Sequence, residues 1–95
     1  MNFDEWLYLH WPNTLSFAAN TASYVATHTT TLKDTSALNR ALDAVRVAVD
    51  NAQDPTQAVV WALREARAVH DLEAVSRLEE VRDTMNHLKG LYETR

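Results

Sequence analysis

The 95-residue chain has no cysteine, one glycine and two prolines. Without cysteine it has no disulfide staples, so a domain this small must find stability in its core, a metal or a partner. Four scattered histidines, His10, His28, His70 and His87, offer little to a metal. There is no glycine-rich phosphate loop, and no spacing of serine, histidine and acid marks a nucleophilic triad. Ser16, Ser23, Ser36 and Ser76 are accounted for by caps and helix surfaces. No apolar run approaches the roughly eighteen residues of a membrane span, so no membrane association is expected. The formal charge of −4 and pI of about 5.4 disfavour direct binding to a nucleic-acid backbone. Met1 to Glu5 opens with acids where a secretory signal carries basic residues, which together with the missing cysteines points to the cytoplasm.

Helical periodicity fills what remains. Phe3, Trp6, Tyr8 and Trp11 gather half of the aromatic side chains at the start. Asn2 and Glu5 have capping-box spacing for a short helix that Pro12 ends, with Phe3, Leu7 and Trp11 on one side. From Asn13, Leu15, Ala18, Ala22 and Val25 give a second helix a small-residue face, beside a strip holding Phe17, Tyr24 and His28. Residues 28–34 read as a loop. Asp34 or Ser36 then caps a helix through Leu38, Ala41, Leu42, Val45 and Val49, with Val47 at its margin.

The sharpest boundary follows residues 50–53. Asp54, Pro55 and Gln57 supply a cap, a first-turn proline and a third-position glutamine. From Pro55 to Lys89 there are thirty-five residues with no glycine or internal proline. Leu63, Arg67, His70, Ala74, Leu78, Val81, Met85, Leu88 and Tyr92 keep a three-and-four spacing along it. One continuous helix of about 50 Å is the expected form, capped at Gly90 and followed by a short tail. The alternative is a fresh helix capped by Asp71, giving a hairpin or kink. Continuity is favoured because no glycine or proline lies near Asp71.

Arg82 and His87, an arginine and a histidine with four residues between them, are similar in spacing to the motif of helical ribonuclease domains, and Arg64 with His70 is a looser echo. That similarity implies phosphate binding and cleavage by a dimer that gathers these side chains. The competing reading makes Arg82 a surface ion-pair residue near Glu79 and is preferred. Glu73, Glu79, Glu80 and Asp83 raise divalent-metal chemistry, but Arg77 and Arg82 neutralise much of that cluster. An acidic inhibitor of a nucleic-acid-binding protein is a further alternative, opposed by arginines interspersed among the acids.

The expected fold is all-α, a single domain over residues 1–95 forming a small three- or four-helix bundle with a long C-terminal helix. The expected function is a non-enzymatic protein–protein interaction module, a regulatory, adaptor or inhibitor protein without cofactor or metal. Its partner is a second copy or another protein. Trp6, Tyr24, Trp61, Leu78, Met85, Leu88 and Tyr92 are the expected interface, while Trp11 is assigned to the core.

Overall fold

A computed structural model describes residues 1–28 and 35–95. Most of the expected loop, and Asp34 as a cap, lie outside the described residues. Five α-helices are present among the described residues: α1 (Phe3–His10), α2 (Pro12–His28), α3 (Ser36–Asp50), α4 (Thr56–Ala68) and α5 (Leu72–Thr94). The all-α class and the long final helix hold, with five helices in place of three or four.

Helices α2 to α5 form a closed ring in chain order, each packed against its two neighbours, and α1 lies across α2 and α5. The inward faces follow the 3.6-residue period: Leu15, Ala18, Ala22 and Val25 from α2, Leu38, Leu42 and Val45 from α3. Alanines on α2, α3 and α4 let the backbones approach closely. Among the described residues, no buried side-chain nitrogen or oxygen lacks a hydrogen-bond partner.

The expected continuous rod is overturned. Helix α4 stops at Ala68 and α5 starts at Leu72, and the two pack side by side as a hairpin. The break is a Schellman motif: His70 takes the left-handed conformation at φ 59°, its N–H donates to the Arg67 carbonyl at 3.1 Å, and the Asp71 N–H donates to Ala66 at 3.1 Å. Asp71 then caps α5, its Oδ1 accepting from the Ala74 N–H at 3.0 Å. One aspartate thus closes the turn and opens the next helix within three residues. Arg67 and His70 consequently leave the apolar stripe and are exposed, and Val59, Ala62, Leu63 and Ala66 make the inner face of α4.

The same motif ends α3. Ala52 has φ 54°, with Ala52 N–H donating to Val49 at 3.0 Å and Gln53 N–H to Ala48 at 2.8 Å. Two further expectations are corrected. Pro12 opens α2 as its first residue instead of merely ending α1, leaving Trp11 alone between the helices. Gly90 lies inside α5, which runs on to Thr94, so it is no cap.

The accessible surface of 5672 Å² lies close to the roughly 5,500 Å² expected of a folded monomer of 10.8 kDa. Folded back on itself and packed against α2 and α3, the 35-residue stretch has its inward apolar face covered within the protomer. The expectation that its stripe needs a neighbouring subunit therefore falls with the rod.

Candidate functional site

The end of the bundle covered by α1 gathers the densest set of side chains. Asn2 caps α1 by accepting the Glu5 N–H at 2.8 Å. Leu7 alone on this helix is fully buried, plugging the space against α2 and α5. Around it Phe3 meets Tyr92 edge-on with ring centroids 5.4 Å apart, Trp6 lies 5.5 Å from Tyr92, and Trp11 is 6.5 Å from Trp6. The Tyr92 hydroxyl donates to the Met1 carbonyl at 2.8 Å.

Asp54 ties this cap to the bundle. Its N–H donates to Asp4 Oδ1 at 2.8 Å, its Oδ1 accepts the Thr56 N–H at 2.9 Å, and its Oδ2 lies 2.9 Å from Lys89 Nζ. An open cavity of about 410 Å³ remains between these groups, lined by Asn2, Phe3, Asp4, Asp54, Lys89, Tyr92 and Glu93. Sequence reasoning missed the Asp54–Lys89 pair because the two residues are distant in the chain and become neighbours only through the hairpin.

The outer side of α1 stays uncovered. Tyr8 is 56 % exposed, Leu9 60 % and Trp11 41 %. Trp11 does not join the core as expected: its backbone leaves the helix at φ −134° and ψ 50°, so the period that places Leu7 inside does not extend to it.

At the opposite end Tyr24 donates its hydroxyl to Glu73 Oε1 at 3.1 Å, joining α2 to α5. Arg77 stands 3.9 Å from the Tyr24 ring centroid and pairs with Glu73 at 3.3 Å, while His28 stacks on Tyr24 with centroids 3.8 Å apart. The Tyr24 hydrogen bond and then the Arg77 hydrogen bond hold the Glu73 carboxyl below its ordinary value against the opposing effect of desolvation; the charges of Arg77 and His28 contribute less to the lowering.

The expected interface residues divide into two groups. Leu78, Met85 and Leu88 are buried in the protomer's own core, where α5 meets the bundle, so they present no surface to a partner. Trp6, Tyr24, Trp61 and Tyr92 are half-buried. Trp6 and Tyr92 meet at the α1 end, Trp61 packs against the core from α4, and Tyr24 belongs to the far end.

Arg82 and His87 lie five residues apart on α5, and the Arg82 guanidinium is engaged by Asp83 at 3.0 Å and by Glu79 at 3.7 Å. Glu79 also faces Arg67 at 3.7 Å. Arg64 is exposed on α4, and His70 occupies the turn. Arg82 and most of the acids beside it thus form a laced surface. Among the described residues, no three histidine, aspartate or glutamate side chains are placed to hold a metal ion, and no helix is long and apolar enough to cross a membrane. Searches against protein-family models, curated proteins and solved structures find no match, which leaves the chain's own geometry to carry the functional argument.

Proposed function

We propose that this chain is a non-enzymatic protein–protein interaction module, a small regulatory, adaptor or inhibitor protein that contacts its partner through the α1 end of the bundle. One observation carries the reading: Tyr8, Leu9 and Trp11 stay exposed together within four residues, two of them aromatic, whereas Val47, Val60, Leu72 and Leu91 are exposed aliphatic side chains on other helices. Trp and Tyr are the side chains most enriched at interface hot spots, since each offers a large apolar face with a polar edge. Trp6 stands 6.5 Å from Trp11 and is itself backed by Tyr92 at 5.5 Å, which restrains the Trp11 end of the strip before a partner arrives.

The partner is a second copy or a different protein. A photo-crosslinking residue at Leu9, compared in cells with one at Val47 on α3, tests the surface. Discrete adducts from Leu9 and none from Val47 are expected, and adducts from both or neither sink the reading. Sedimentation of the purified chain across concentrations then separates self-association from a different partner.

A further inference from the structure

We propose that the open cavity beside α1 is a binding site for an alkylammonium group. Its volume of about 410 Å³ falls at the small end of the ~300–1,000 Å³ typical of small-ligand sites. Three carboxylates, Asp4, Asp54 and Glu93, line it against one cation, Lys89. Lys89 is already engaged by Asp54 at 2.9 Å. Asp4 gives Oδ1 to the Asp54 N–H, which leaves its second oxygen to accept, and Glu93 stands exposed at the rim. An anion entering here meets uncompensated negative charge, whereas an ammonium finds acceptors for its donors.

The aromatic wall favours the same sign. Phe3 and Tyr92 meet edge-on, and each attracts a cation of the chain: Lys89 Nζ lies 5.6 Å from the Phe3 centroid and the Arg95 guanidinium 4.4 Å from that of Tyr92. The rings also cover an alkyl stem, which a bare metal cation lacks. Arg95 competes for Tyr92, so its removal is expected to strengthen binding.

Two sources share this chemistry, a free aliphatic diamine and a lysine side chain presented by a protein. The inference goes beyond the interaction reading, because small probes test the cavity without any protein partner and fail or succeed independently of crosslinking at Leu9.

The experiment is an amide chemical-shift titration of the full chain with 1,5-diaminopentane, with N-acetyl-lysine methylamide, and with uncharged 1-pentanol as control. Saturable shifts around residues 2–4, 54 and 89–93 are expected from the two amines and not from the alcohol. Glu93→Gln is expected to weaken binding about fivefold and Arg95→Ala to tighten it about twofold. Affinity for the lysine derivative at least equal to that for the diamine assigns the site to a protein side chain, and the reverse order assigns it to a free amine. Either order supports an ammonium site. Absence of saturable shifts, an equal response to the alcohol, or an affinity unchanged by Glu93→Gln overturns it.

Discussion

Asp54 and Lys89, thirty-five residues apart in the chain, meet at 2.9 Å and join the start of α4 to the last turns of α5. The same carboxylate receives the Thr56 N–H at 2.9 Å, and its residue's own N–H is held by Asp4. Asp54→Ala therefore removes the acceptor of the first-turn Thr56 N–H and a partly buried ion pair together. The expected cost is about 1–2 kcal/mol in urea denaturation, most of it from the Thr56 N–H left without its acceptor, since solvent screens the pair. Asp54→Asn keeps an acceptor for Thr56 and is expected to lose less than about 1 kcal/mol.

Glycine stands where the fold does not use it and is missing where the backbone favours it. Gly90 lies within α5, and an added Cβ there would meet nothing within 4 Å. Gly90→Ala is expected to stabilise by about 0.5–1 kcal/mol. Ala52 and His70 hold φ values of 54° and 59°, which strain a side chain. Ala52→Gly and His70→Gly are each expected to gain up to about 1 kcal/mol. Thermal unfolding of the three single variants checks all three signs.

That distribution also explains how far the sequence was legible. The inner stripes of α2, α3 and the second half of α5 follow directly from apolar spacing, and Asn2 and Asp71 were recognisable as cap residues, whereas Pro55 takes the cap position expected of Asp54, which holds the Thr56 N–H from one residue earlier. The α4–α5 break was obscured because His70 occupies a left-handed position that usually advertises itself as glycine, while Leu63, Arg67 and Ala74 mimic an unbroken period across it. Three of the expected interface residues depended on the rod: once α5 folds back on α4, Leu78, Met85 and Leu88 are core. The cavity was not legible, since Phe3, Asp54 and Lys89 approach only after three helices have packed.

Met85, fully buried in the monomer, distinguishes a core from an interface. Met85→Ala is expected to cost about 2–5 kcal/mol, from lost burial and the cavity left behind. If the side chain served a dimer seam instead, the cost would depend on protein concentration. The difference between parent and variant denaturation midpoints is expected to stay constant across a wide range of dilutions.

Acid weakens the clasp between α2 and α5 in a defined sense. Tyr24 and Arg77 hydrogen-bond to the Glu73 carboxylate and lower its folded-state pKa below the ordinary value of 4.5. A lowered pKa means that the folded protein binds this proton less tightly than the unfolded chain. The stabilisation is thus fully present above the ordinary value and is lost as pH falls through the lowered one. Stability measured from about pH 5 to about pH 3 is expected to fall less steeply in Glu73→Gln than in the parent, and Tyr24→Phe to lie between them. Identical slopes for parent and Glu73→Gln would remove the clasp as a contributor.

Leu9 separates binding from folding because its side chain is 60 % exposed while the neighbouring Leu7 is fully buried. Leu9→Glu places a charge where water already reaches, so folding stability is expected to change by less than about 0.5 kcal/mol. The same charge in the centre of a desolvated contact loses its hydration without a partner, and binding is expected to weaken at least about tenfold. Leu7→Ala has the reverse profile, costing about 2–5 kcal/mol of stability because it empties the plug beneath α1. Unfolding curves and crosslinking yields from a photoreactive residue at Tyr8, measured on both variants, discriminate the two roles. A Leu9→Glu protein that crosslinks as strongly as the parent would show that the exposed strip of α1 is not where a partner docks.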